Sequence, residues 1–141
     1  MVAAIDFYQR SHFSGMRLLH TSITVKDMDD SIAFYTKVMG MSLRARREIK
    51  ENDAEIAFLD IGGTNHEIEL TWWKKKADYT DGDQLDHMAF EVEDLDSSID
   101  RMRTMNVEVA KEPYSLGSSR IAFIKDPNGI WLERIEKKKA A

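Results

Sequence analysis

Two histidines and two glutamates stand at matching places in this chain. His20 opens HTSITVKDMDDSI and His87 opens HMAFEVEDLDSSI; the thirteen residues align without a gap and six are identical. Further along, AFLDIGGTNHEIEL at 57–70 resembles AFIKDPNGIWLER at 122–134 with one gap, which sets Glu69 opposite Glu133. Two matches in the same order mark one unit built twice. Each copy then carries an imidazole near its start and a carboxylate near its end. Two neutral nitrogens and two anionic oxygens suit a borderline divalent cation and cancel its formal charge. An octahedral ion held by four such ligands keeps two positions for adjacent oxygens on a small molecule, which it would polarise.

Taken singly, these residues carry little weight. A strand histidine is more often structural or exposed than a ligand, and a strand glutamate is usually solvated. Duplication at shared positions is what sets the four apart. His12 and His66 have no duplicated counterpart and read as surface residues. Ser31 and Ser98 follow the two helix starts, which fits capping better than nucleophilic chemistry. Trp72 and Trp73 read as packing plus rim, Lys74–Lys76 and Lys137–Lys139 as solvated runs, and the methionines as core filling.

Two modules must position the four side chains: 16–79 and 80–136, flanked by an N-terminal extension at 1–15 and a basic tail at 137–141. In the first, a strand at 16–25 leads to a helix capped by Asp27 or Asp29. That helix carries Ile32, Tyr35 and Met39 at helical spacing and stops at Gly40. Strands at 42–49, 55–61 and 67–73 follow, with Gly62-Gly63 as a turn. In the second, a strand at 85–93 precedes a helix starting at Asp94 or Asp96, carrying Ile99 and Met102 and ending near Asn106. Strands at 107–111, 120–125 and 130–136 complete it, with Asp126-Pro127-Asn128-Gly129 as a tight turn. The order βαβββ, repeated, predicts an α+β fold with helices on one face of mixed sheets.

Side chains alternate along a strand. Leu19, Ile23 and Val25 therefore share one face, and His20, Ser22 and Thr24 the other. Met88, Phe90 and Val92 oppose His87, Ala89 and Glu91 in the same way. Glu69 lies with Glu67 and Thr71, away from Ile68 and Leu70; Glu133 lies with Trp131 and Ile135. The apolar faces seat the helices, so both histidines face the opposite side. A carboxylate among large apolar neighbours needs a cation or donors.

Composition narrows the function classes. The 141 residues, 43% hydrophobic and 32% charged, make one compact domain or a tight pair of halves. The absence of cysteine removes disulfides, thiolate metal sites and cysteine nucleophiles and fits a reducing compartment. A formal charge of −5 argues against nucleic acid as a partner. No apolar run approaches the ~20 residues that span a bilayer, and no secretory signal is evident, so a cytoplasmic protein without a membrane partner is expected.

The motifs carry a family resemblance. MRLLHTSITVKDMDDSIAFYTKVMGM at 16–41 resembles the opening of bacterial glyoxalase I (lactoylglutathione lyase). So do IELTW around Glu69, DHMAFEV around His87 and DPNGIWLE ending at Glu133. The resemblance runs over nearly all of 16–136. It implies the vicinal-oxygen-chelate superfamily, whose paired βαβββ modules form a metal-enclosing half-barrel or barrel, the glyoxalase/bleomycin-resistance fold. The implied ligands are His20, Glu69, His87 and Glu133, for one divalent ion per site. The compact length resembles the branch preferring Ni2+ or Co2+, with Zn2+ as the other choice. The implied substrate is the hemithioacetal of methylglyoxal and a thiol, converted to a 2-hydroxyacyl thioester of the S-lactoylglutathione type. Glu133 is implied as the base and Glu69 as the second proton-transfer group. A homodimer is implied too. The resemblance departs at the thiol: glutathione-using members carry an arginine and an asparagine where this chain has Thr24 and Trp73. The basic residue expected before the last strands is missing from Tyr114-Ser115-Leu116-Gly117, with Arg120 nearby.

Three other readings compete. A methylmalonyl-CoA epimerase resembles this chain in fold and ligands, but DPNGIWLE and ELTWW favour glyoxalase I. A metal-free bleomycin-resistance-type binding module generally lacks the four-ligand set. In an extradiol dioxygenase, Glu69 would fill a position that oxygen chemistry wants open.

Overall fold

Strand alternation and two aspartate-capped helices build two four-stranded mixed sheets, one from each repeat, in a computed structural model describing residues 19–62, 65–76, 78–80, 82 and 85–137. The first repeat gives β1 (His20–Thr24), α1 (Met28–Ala33), β2 (Ser42–Ile49), β3 (Ala54–Asp60) and β4 (Glu67–Trp73). The second gives β5 (Met88–Glu91), α2 (Leu95–Thr104), β6 (Val109–Leu116), β7 (Ser119–Lys125) and β8 (Trp131–Lys137). The sheet orders are β1-β4-β3-β2 and β5-β8-β7-β6. In each, the first strand runs parallel to the last, and the other neighbours are antiparallel. This is the expected βαβββ arrangement, built twice. Among the described residues, no helix is long and apolar enough to cross a membrane.

Local chemistry sets the element ends. Asp27 and Asp94 are the caps, accepting from the backbone N–H of Asp30 at 2.8 Å and of Ser97 at 3.0 Å. Gly40 at φ +74° and Asn106 at φ +57° take the left-handed conformation just past the two helical segments. The first helix departs from the expected α spacing: after Ala33 it widens into a π turn over Phe34–Val38. There the Thr36 hydroxyl donates to the Ile32 carbonyl at 2.7 Å. The strand expected at 107–111 continues to Leu116, passing through Pro113. An edge strand tolerates proline, and β6 is at the sheet edge with two register irregularities. The strand expected at 85–93 is shorter, Met88–Glu91.

One core joins both repeats. Ile23, Val25, Leu59 and Leu70 from the first sheet cluster with Leu95, Ile99 and Met102 from α2 and Ile124 and Leu132 from the second sheet. Met28, Met39, Met41 and Met102 are buried, as core filling requires. A polar lock also crosses between the repeats. The Asp126 carboxylate accepts from the N–H groups of Asn128 and Ile130, both at 2.8 Å. Its other oxygen accepts from the Tyr35 hydroxyl and the Asn128 side-chain amide, both at 2.9 Å. Asn128 Oδ1 in turn accepts from the Lys26 N–H at 2.7 Å. Burial first, and then the Asp126 charge, push the Tyr35 hydroxyl up, so it stays a donor.

Two sequence readings are corrected here. Ser31 is not a cap: it is fully buried and accepts from the Asn128 amide at 3.2 Å, because the second repeat's turn docks on the first helix. His66 is not a surface residue: it is half-buried, with Nε2 2.9 Å from the Thr21 hydroxyl, because β4 pairs with β1 from the next residue on. His12, the 1–15 extension, Gly63, Lys138 and Lys139 lie outside the described residues.

Candidate active site

The register of the first sheet places Glu69 between Ser22 of β1 and Phe58 of β3. These side chains stand on the open face, away from α1. His20, two residues before Ser22, brings Nε2 to 3.6 Å from Glu69 Oε2, and its ring packs edge-on to Phe58 at 5.4 Å. The other carboxylate oxygen, Oε1, lies 3.0 Å from both the Ser22 and the Thr71 hydroxyl. The two hydroxyls are 3.0 Å from each other. His20 remains 40% exposed while Glu69 is 17% exposed.

The second sheet repeats the plan. Glu133 lies in register between Ala89 of β5 and Phe123 of β7. His87 Nε2 is 2.9 Å from Glu133 Oε2, and its ring is edge-on to Phe123 at 5.4 Å. Its other nitrogen, Nδ1, is 2.6 Å from Asp86 Oδ1. A neutral imidazole has one N–H, so two carboxylate contacts call for a second positive centre. A proton can supply it, and the hydrogen bond to Asp86, followed by the Glu133 charge, holds the His87 pKa above the usual range. A divalent cation held by His87 and Glu133 would supply it equally. The Asp86 contact would then fix the histidine's tautomer, as a carboxylate behind a ligating histidine does. The donor set therefore fits the implied metal.

The four expected residues thus meet as two pairs, His20 with Glu69 and His87 with Glu133. Among the described residues, no three His, Cys, Asp or Glu side chains come close enough to hold a metal together. The paired phenylalanines went unused in the sequence reading, although the aligned AF dipeptides at Phe58 and Phe123 carry the signal. Trp131 packs against Phe123 at 5.5 Å and Trp73 lies on the Glu69 face of β4, each 38% exposed, while Trp72 packs on the core.

Lys125, over the Trp131 ring at 5.6 Å, pairs with Glu108, and two further cations stand on the open faces. Arg47 of β2 lies over the Phe58 ring at 5.8 Å. Lys111 is the register partner of Phe123 and lies over the Tyr114 ring at 4.3 Å. Neither is in an ion pair among the described residues. Arg120 is differently placed, gripping both oxygens of Asp96 at 2.9 and 3.0 Å and fastening α2 to β7. Lys74 and Lys75 pair with Glu48 and Asp53.

Comparison with known proteins bears on this geometry. The sequence model of the Glyoxalase/Bleomycin resistance protein/Dioxygenase superfamily matches residues 17–134. A probable lactoylglutathione lyase of Vibrio cholerae is 40% identical over 131 residues, covering 90% of this chain and 95% of that protein. The lactoylglutathione lyase of Salmonella typhimurium is 40% identical over 129 residues, covering 89% and 96%. Among solved structures, the trypanothione-dependent glyoxalase I of Leishmania major superposes with a TM-score of 0.77 at 31% identity, covering 86% of this chain and 87% of that one.

Proposed function

Because the chain belongs to the Glyoxalase/Bleomycin resistance protein/Dioxygenase superfamily, we propose that its two His–Glu pairs hold one divalent cation and act on a hemithioacetal. The chain is a lactoylglutathione lyase-type enzyme, a carbon–sulfur lyase, and it isomerises the hemithioacetal of methylglyoxal. The family works with a divalent metal. The observation that carries the residue assignment is the repetition itself: histidine against glutamate, backed by phenylalanine, on both open faces.

In this reading His20, Glu69, His87 and Glu133 are the ligands. Imidazole and carboxylate donors accommodate Ni2+, Co2+ or Zn2+, and the compact length, which resembles the branch preferring Ni2+ or Co2+, favours the first two. When bound, the cation stabilises negative charge developing on substrate oxygen. Glu133 takes the proton from the hemithioacetal carbon on Oε2 and returns it to the neighbouring carbon, with Glu69 as the second proton-transfer group. Phe58 and Phe123 hold the imidazoles edge-on and keep water from their flanks. The pairs sit on separate sheets, so a second copy of the chain completes each site: one protomer gives His20 and Glu69, its partner His87 and Glu133. Exposed Trp73 and Trp131, on the same strand faces as Glu69 and Glu133, give that copy an apolar rim to cover. A cytoplasmic location belongs to the same reading and accords with a chain free of cysteine.

The thiol is read from the cations. Thr24 and Trp73 offer no charge, and Arg120 is held by Asp96. Arg47 and Lys111 remain, one beside each pair, to receive carboxylates of the thiol. One assay tests the whole. Hemithioacetal turnover should vanish with a chelator and return with Ni2+ or Co2+. Arg47→Ala and Lys111→Ala should each raise KM about tenfold with kcat little changed, the mark of binding equal in ground and transition states. Chelator-resistant turnover would refute the metal reading. An unchanged KM in both variants would remove the two cations from thiol recognition.

A further inference from the structure

The two half-sites differ in what surrounds their carboxylates. Around Glu69 the register neighbour on β1 is Ser22 and the residue two further along β4 is Thr71. At the same places around Glu133 stand Ala89 and Ile135. Glu69 Oε1 thus sits in a triangle of three oxygens, each 3.0 Å from the next. Two hydroxyls own two protons for these three contacts. Either both donate to the carboxylate, or Ser22 and Thr71 relay one donation while the other reaches Oε1. In every arrangement Oε1 is occupied and Oε2 is the oxygen left toward His20. Thr71 is itself buried, so its hydroxyl has little other choice of partner. Among the described residues no hydroxyl is hydrogen-bonded to Glu133, whose side-chain partner is His87.

We propose that Ser22 and Thr71 are positioning residues that lock Glu69 as a fixed, one-oxygen metal ligand, while the missing hydroxyls leave Glu133 able to swing off and back. The proposal rests on the lyase reading above and divides the labour of its two carboxylates by mobility: Glu69, the second proton-transfer group, acts from a fixed place, and Glu133, the first base, moves. A pre-set side chain binds a cation without losing rotamer freedom at that moment, whereas a base must move between cation and substrate.

The test is a cobalt(II) absorbance titration of metal-free protein, run beside steady-state kinetics. Ser22→Ala and Thr71→Val should together weaken cobalt binding about 10–100-fold, the usual cost of removing groups behind a ligand. Ser22→Thr, which keeps a hydroxyl, should restore most of it. The reciprocal variant, Ala89→Ser with Ile135→Thr, places hydroxyls around Glu133; it should bind cobalt more tightly and lose kcat about tenfold at similar KM. Wild-type cobalt affinity in the Ser22→Ala/Thr71→Val protein overturns the proposal, as does unchanged kcat in the reciprocal variant. Clamp-dependent cobalt binding without hemithioacetal turnover would uphold the clamp and overturn the lyase reading. Absence of cobalt binding in the wild-type chain overturns both.

Discussion

Glu133→Gln should lower hemithioacetal turnover by about 10²–10⁴-fold, the range set by removing a general base. The amide keeps the shape of the carboxylate, loses its basicity and still presents an oxygen to the cation. Folding should change little, because Glu133 makes no hydrogen bond that shapes the sheet: its side-chain contact is with His87, not with a backbone group. Steady-state kinetics with melting curves on the same preparations measure both. Glu69→Gln supplies the contrast. Its amide can donate through the NH2 to the Ser22 and Thr71 hydroxyl oxygens and keep its oxygen toward His20 and the cation, so the ligand position survives and its effect on kcat should be the smaller of the two. Near-normal turnover in Glu133→Gln would take that residue out of the base role.

Asp126→Ala should have the largest effect on stability. The carboxylate is 5% exposed and satisfies four donors, two from its own turn and two side chains. Removing it strands them in a site too tight to admit much water. At ~1–3 kcal/mol per buried group left without a partner, and allowing for partial rewetting of the turn, the loss is about 4 kcal/mol. For a domain of this size that lowers Tm by ~10–15 °C. Tyr35→Phe, which removes one donor and leaves the carboxylate with three, should cost about 1 kcal/mol. A melting temperature for Asp126→Ala within ~3 °C of the parent would show that the turn is not the lock between the repeats.

Much of this was legible in the chain itself, for physical reasons. The duplicated strand–helix opening fixed which residues share a face, because strand alternation leaves no freedom once Ile23 and Val25 must be buried. β2 and β4 come out at the expected residues because their ends are marked by Gly40 and by a polar turn. The π turn after Ala33 was not legible: a one-residue widening is decided by how Tyr35 must reach Asp126, 91 positions away. Ser31 misled for the same reason, since its partner Asn128 belongs to the other repeat. DPNG advertises a turn, but its sequence does not announce that the turn also bonds to a distant helix. At the site, the shared face of the four residues could be read and their pairing could not. Alternation says that His20 and Glu69 look the same way. It does not say that the two sheets keep their pairs apart within one chain.

If two protomers share each site, as proposed, mixed oligomers face a sharp demand. A chain carrying His20→Ala and Glu69→Gln lacks the first pair, and one carrying His87→Ala and Glu133→Gln lacks the second. Each should be inactive alone. Refolded together in equal amounts, half of the dimers are mixed. Each mixed dimer unites both damaged pairs in one site and both intact pairs in the other. Activity should therefore return to about a quarter of wild type, with cobalt bound at the same fraction of sites. Sites built within one chain leave every mixture dead, and a mixture that stays inactive while forming mixed dimers would contradict the account.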